Sequence, residues 1–592
     1  MKNYKNKILI GIGLITLVAA AACRKSEKFP VDKVSGIYIF DPRDSAGTQA
    51  LKYLLNVYSV VEIGHNRVGG DYLDAASDDA VSSSPGGQVT ILATAGYTAI
   101  DLPANENVWS STNSTNTANY WNGIRSATEF MAGIDVVPVK DFVAPNGKIN
   151  GIGVSTRYIW RNEARLLRAY FYFELVKRFG GVPLLGDKVY NVNDNIALPR
   201  SSFADCISYI VSECDKAKDS LITAPLINPA QDNYRVTQGA AMALKAKVLL
   251  YAASPAFNNP SGGNSNPLTG YPSYSASRWQ LAATAASQLM AIGNYSLDPN
   301  FKNIFLTQND PEVIMVRTAN GTNPSNNVES NNGPVGFGSA VAQGRTSPTQ
   351  ELVDSYPMSN GLPITDPNSG YDPNNPYNNR DGRFYATILY NGAPWLGTTL
   401  QTYEGGISKP NNGQTETLTS YYMCKFMGPQ TTSNFQGHDE DWVIFRYAEI
   451  KLDFAEARNE TDGPVDSVYQ QLKDLRLRAG IAPGADNMYG LTVGMTKDQM
   501  RAVIQNERRI EMAFEEQRYF DIRRWGIAST VMNQPLMGMS ITNSNGNLTY
   551  NLIQVLQPKF VAPKMNVYPI PYDEVLKNPA IGQAHQNPGW SF

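Results

Sequence analysis

The stretch Asn506–Gly526, NERRIEMAFEEQRYFDIRRWG, carries ten charged residues among twenty-one, in a chain where 17% of residues are charged. Its charges balance, with Glu507, Glu511, Glu515, Glu516 and Asp521 set against Arg508, Arg509, Arg518, Arg523 and Arg524. A balanced set grips a polyanion poorly, since nucleic-acid binding calls for a basic patch. Ile510, Ala513 and Phe514 leave an apolar stripe, and the spacing predicts one helix over Lys497–Arg524 that stops at Trp525-Gly526. On such a helix Arg508 and Glu511, Glu515 and Arg518, and Arg518 and Asp521 are three apart and share a face. Pairs of this kind, partly buried, fix register more than they add stability. The stretch therefore reads as scaffold, and function is to be sought elsewhere.

Working outward, helical patterns dominate. They cover Thr48–Ile63, Trp121–Val136, Tyr158–Phe179, Ser202–Leu221, Thr237–Ala253, Arg278–Ile292, Phe445–Asn459 and Val468–Ala479. Tyr158–Phe179 is the clearest, and it ends at Gly180-Gly181 with Pro183 close behind. Ser201 or Ser202 and Thr237 suit helix N-caps. Ala240, Ala241, Ala243, Ala246, Ala252 and Ala253 line one helix with small side chains, as closely paired antiparallel helices need. No fixed period of 34 residues runs through the chain, so any tetratricopeptide-like pairs are irregular. Asn-, Gly-, Ser- and Pro-rich stretches at about 256–278, 307–346, 358–380 and 405–437 interrupt the helices. Long connections of this kind carry binding residues more often than structure.

The N-terminus begins with Lys2, Lys5 and Lys7, followed by an apolar run from Ile8 to Ala22. As a helix that run spans only about 22 Å, short of the roughly 30 Å of a bilayer core. It has the form of a signal peptide, residues 1–22. Ala20, Ala21 and Ala22 precede Cys23, which resembles a bacterial lipoprotein signal with Cys23 as the lipidated first residue. The expected plan is a signal over 1–22, a tether over 23–45 and a single domain over 46–592, anchored to a membrane only by lipid.

The net charge is −3 with 50 basic and 53 acidic residues, which favours no nucleic acid. Cys206 and Cys214 lie eight residues apart in one predicted helix, about 12 Å, too far for a disulfide. Only His65, His438 and His585 supply imidazoles, and no zinc-protease, nucleophile-elbow or phosphate-loop motif is present. No cofactor, catalytic group or metal site is therefore assigned. His438 in GHDEDW is expected in a solvated loop, and Asp74, Asp78 and Asp79 lack the spacing of a calcium loop.

Several segments in order resemble the SusD/RagB family of Bacteroidetes nutrient-binding lipoproteins. They are RNEARLLRAYFYFELVKRFGGVPL (161–184), RVTQGAAMALKAKVLLYAASP (235–255), Trp279–Leu297, PTQELVDSYPMSNG (348–361), NRDGRF (379–384), RYAEIKLDFAEARN (446–459), Asn506–Gly526 and QNPGW (586–590). The resemblance implies a mainly α fold, with tetratricopeptide-like helix pairs as a platform and loops and a few short strands on one side. It implies non-catalytic capture of an oligosaccharide, or of a peptide in RagB-like members, and delivery to a SusC-like TonB-dependent transporter of the outer membrane. Pro85-Gly86-Gly87 stands where the family often shows a sugar-contacting Arg-Gly-Gly. Family sugar sites draw on the loop before the Trp121 helix, which by position makes Trp109 and Tyr97 the first ligand-binding candidates. Trp395, Tyr271, Tyr274 and Tyr403 follow from loop composition, since a rigid ring covers the C–H face of a sugar while polar neighbours bond its hydroxyls.

Overall fold

The computed structural model describes residues 36–591 except 110–118, 192, 224–233, 262–264, 320–326, 339, 414, 429–430, 436–437, 439 and 583–584. The signal peptide and Cys23 lie outside the described residues. Helices dominate: α1 (Thr48–Tyr58), α2 (Tyr120–Gly133), α3 (Thr156–Phe179), α4 (Phe203–Lys218), α5 (Gln238–Ala253), α6 (Ser277–Ala291), α7 (Tyr447–Asp462), α8 (Asp466–Arg478), α9 (Lys497–Glu511) and α10 (Arg518–Arg524). Each of α1 to α7 packs on the next in sequence, and α7 also receives α8 and α9. This is the expected platform of stacked helix pairs, and the fold is mainly α with small two-stranded sheets.

Local chemistry sets the ends of these helices. Ser202 and Thr237 cap α4 and α5, accepting the N–H groups of Asp205 and Ala240. Gly180 ends α3 at φ 74°, where a Cβ would stand 2.4 Å from the Leu268 carbonyl oxygen. The buried Arg200 then donates to the carbonyls of Phe179, Gly181 and His585 and to Asn587 Oδ1, which ties the Gly-Gly turn to the closing QNPGW. Cys206 and Cys214, expected to lie too far apart to pair, are free and buried.

The interrupting stretches are more structured than their composition predicts. Strand β1 (Val313–Arg317) pairs with β2 (Trp442–Arg446), which feeds directly into α7. Residues 417–428 hold the buried side chains of Tyr421, Tyr422, Lys425 and Met427, so much of the 405–437 stretch threads the core. A hairpin of β3 (Leu536–Ser544) and β4 (Asn547–Leu556) turns at Asn545-Gly546, both at positive φ as a tight hairpin requires.

The Asn506–Gly526 stretch is not one helix. It breaks at residues 512–517, where Phe514 and Glu516 take left-handed φ of 63° and 57°. The buried Asp74 carboxylate holds that turn, accepting the N–H groups of Phe514 at 3.0 Å and Glu516 at 3.3 Å. The break redirects the charges. Of the pairs expected along one helix face none forms; the local pair that does is Arg524–Asp521, at 2.7 Å. The others reach across the molecule. Arg446, fully buried, meets Glu312 and Glu511 at 2.7 Å and Glu515 at 2.8 Å. Arg383 meets Glu507 and Glu511, Lys425 meets Glu515, Arg508 meets Asp453 and Asp521, and Arg524 meets Glu456. Arg509 and Arg518 take Asp79 and Asp78 as ion-pair partners. Burial alone would raise the Glu511 carboxyl, but Arg478, Arg446 and Arg383 hold it well below the usual range. The ion pairs of this stretch reach as far back in the chain as Arg67, which meets Glu516 at 2.9 Å.

Candidate ligand-binding cavity

The structure scatters the six aromatic candidates. Tyr97 is 2% exposed, with Trp590 and Tyr568 against its ring, so it offers no open face. Trp395 is also buried, and Phe435 lies 6.3 Å from it. Tyr271 is half-buried between the Arg278 guanidinium, 3.5 Å from its centroid, and Phe203. Tyr403 is half-buried and donates its hydroxyl to Gln401. Tyr274 is exposed. Trp109 is 3% exposed, yet it forms part of a cavity wall. Ring burial is the physical reason for most of this: loops here are anchored by the rings that composition alone marks as displayed.

The Trp109 cavity, about 440 Å³, is bounded by the first turns of α2, by the 183–198 segment after α3 and by residues 574–581. Asn119 caps α2 through the N–H of Asn122, which sets Trp121, Asn122 and Arg125 in the first turns. Trp121 is half-buried, 5.4 Å from Trp109 and edge-on to Tyr172 at 6.1 Å. Its Nε1–H is buried without a hydrogen-bond partner among the described residues, and an orphan donor of this kind asks for an explanation. Around the rings stand Asn122 and Arg125, both exposed, with Glu129, Lys188 and Tyr190. Arg125 Nε bonds Glu129 at 2.8 Å, and Glu129 accepts the Tyr53 hydroxyl at 2.7 Å. Burial, then Glu129, push that hydroxyl up to about 12, so it remains a donor. The remaining acid, Glu574, accepts from Lys577 at 2.7 Å. Lys188 Nζ lies over the Tyr190 ring at 4.4 Å, which leaves the half-buried Trp121 ring, with amide and guanidinium groups at its rim, as the surface that suits a hydroxylated ring.

A larger groove, about 770 Å³, lies between α1, the start of α3 and the end of β1. Its Trp160 lies under Arg235 at 5.4 Å, and Arg235 in turn pairs with Glu163 at 2.8 Å, so the indole face is already taken. Sequence reasoning named Trp109 but passed over Trp121, Asn122, Arg125 and Tyr190. The available signal was Asn119-x-Trp121-Asn122, a cap followed by an aromatic and an amide in a first helical turn.

Comparison with known proteins identifies the class. A model described as the SusD family matches residues 311–590, and one described as starch-binding and associating with the outer membrane matches residues 97–250. Two curated relatives from Formosa agariphila are SusD-like protein P2, 28% identical over 27% of this chain and 28% of its own length, and SusD-like protein P38, 23% identical over 65% of this chain and 69% of its own. Thus the chain spans less than a third of the first of these relatives and about two thirds of the second. A solved SusD-like protein of Bacteroides fragilis superposes with TM-score 0.73 at 25% identity, covering 92% of this chain and 98% of that one. A second B. fragilis structure, a SusD-like carbohydrate binding protein, superposes with TM-score 0.70 at 21% identity over 90% and 99%. The chain belongs to the SusD family. The family is described as associated with the outer membrane, and among the described residues no helix is long and apolar enough to cross a membrane.

Proposed function

We propose that this protein is a non-catalytic receptor that captures an extracellular oligosaccharide in the Trp109–Trp121 cavity and passes it to a SusC-like TonB-dependent transporter. The observation that carries the reading is the cavity itself: two indoles at 5.4 Å, one with a buried donor unmatched among the described residues, ringed by Asn122, Arg125 and Lys188. The fold shared with a carbohydrate binding protein of B. fragilis supports it. Lipidation at Cys23 would hold the protein at the outer membrane through a tether over residues 23–45, within which Phe40 packs against Tyr53 and Phe130. The acids of the cavity are bonded to Arg125, Tyr53 and Lys577, which suits capture rather than turnover.

A second reading, capture of an extended peptide, draws on one observation. Strand β4 (NLTYNLIQVL) pairs only with β3 among the described residues, and its ten residues include no charge and no proline. Such an edge is unprotected against strand addition. Native affinity electrophoresis against a panel of polysaccharides separates the readings. Retardation by a glycan with no new reducing ends supports the first. Release of reducing ends, or binding to peptides alone, sinks it.

A further inference from the structure

Away from that cavity, three donor side chains converge where the chain enters β2. Glu329, on the short helix Asn327–Asn332, is fully buried. His438 and Glu440, both half-buried, come from the segment just before β2. One ligand atom from each lies within 4.8 Å of the other two. Glu329 Oε1 stands 2.7 Å from His438 Nε2 and also accepts the Gly428 N–H at 3.1 Å. His65 borders the group. Its ring is edge-on to Trp442 at 5.0 Å and to Phe426 at 4.9 Å, and it lies beside the backbone of Glu440 and Asp441. Its Nδ1 bonds the Tyr72 hydroxyl at 2.7 Å, while its Nε2 is buried without a side-chain or backbone partner at hydrogen-bonding geometry among the described residues. The sequence shows His438 only beside its acidic neighbours; Glu329, 109 residues earlier, comes to it through the fold.

We propose that Glu329, His438 and Glu440 form a site for a divalent transition-metal ion of zinc-like preference, which fastens the segment before β2 to helix Asn327–Asn332. One imidazole and two carboxylates are a nitrogen–oxygen donor set. Calcium and magnesium take oxygen donors, whereas zinc accepts both kinds and fills a fourth position with water. The 2.7 Å between His438 and Glu329 is a hydrogen-bond separation. Two ligand atoms each about 2.0–2.1 Å from a tetrahedral ion stand about 3.3 Å apart. His438 therefore withdraws by roughly half an ångström as the metal replaces the proton it shares with Glu329, and that proton leaves to solvent. A dication also neutralises the two carboxylates. The bound ion would stiffen the entry to β2 without any role at the Trp109–Trp121 cavity.

The test uses the purified mature protein, stripped with chelator and titrated with zinc chloride against a chromophoric competitor while thermal unfolding is followed. The expected result is one equivalent of zinc bound with a rise in Tm, both lost in His438→Gln and affinity at least tenfold weaker in Glu440→Gln. Both substitutions are at half-buried positions, and circular dichroism confirms that the variants fold. His585→Gln should bind as the parent does. Absence of zinc binding overturns the proposal. So does stoichiometric binding that survives His438→Gln and Glu440→Gln, and so does an equal response to calcium that persists in His438→Gln.

Discussion

Two regions of this molecule present polar side chains in opposite ways. In the lattice around Arg446 the named charges are buried and matched: Arg446 alone is shared among Glu312, Glu511 and Glu515. At the Trp109–Trp121 cavity the polar groups are sparse, Asn122 and Arg125 stand exposed, and an indole donor is left unmatched among the described residues. Buried charge survives only where partners and hydrogen bonds compensate its desolvation, so density of matched charge marks scaffold. Groups left without a protein partner beside an open cavity are those with capacity to spare for a ligand.

The largest break in this contrast should come from Arg446→Ala. It takes a shared partner from Glu312, Glu511 and Glu515, which keep only Arg478, Arg383 and Lys425 among them, and removal of one partner from a buried network costs about 3–5 kcal/mol. A chemical denaturation curve should show that loss, and a change below about 1 kcal/mol would mean the lattice is not what fixes the fold. Asp74→Ala comes next. It orphans the Phe514 and Glu516 N–H groups at left-handed backbone positions, with an expected cost of about 1–3 kcal/mol in the same assay.

A smaller effect sharpens the rule at the edge of the lattice, where acids face one another. Burial, together with the Asp298 and Glu312 carboxyls, pushes Asp310 up to about 7. The folded value lies above the unfolded value of about 3.9, so folding favours the protonated form and this stabilisation fades as pH rises from about 4 to 7. Asp310→Asn removes that dependence. Relative to the parent it should gain about 1–2 kcal/mol between pH 5 and pH 8, measured by denaturation at each pH; an unchanged difference would show that the acids do not share a proton. The smallest stability effect belongs to Asn122→Ala with Arg125→Ala. Both residues are exposed, and their combined cost should stay within about 0.5 kcal/mol.

The sequence made the platform legible because helix periodicity, the Ser202 and Thr237 caps and the Gly180 stop are local signals. It also showed that Asn506–Gly526 is scaffold, but for an incomplete reason. The break at 512–517 rests on left-handed Phe514 and Glu516, residue types that announce no turn, and on Asp74, 440 residues away from Phe514. Long-range partners of this sort leave no spacing to read. The proposed site was half legible. Trp109 was reached by position, but Tyr97 and Trp395 were not separable from displayed aromatics, because composition carries no information on which ring face is covered. Trp121 was read only as a helix marker, since an orphan indole donor exists only once the fold has excluded its partners.

The separation of scaffold from site is tested most directly by calorimetric titration of the parent and of the Asn122→Ala, Arg125→Ala double variant with whichever glycan retards the parent, alongside their melting temperatures. The account predicts affinity at least tenfold lower in the double variant with Tm unchanged within about 1 °C. Equal affinity would contradict it and place the ligand elsewhere on the molecule, with the larger groove beside Trp160 the first place to look.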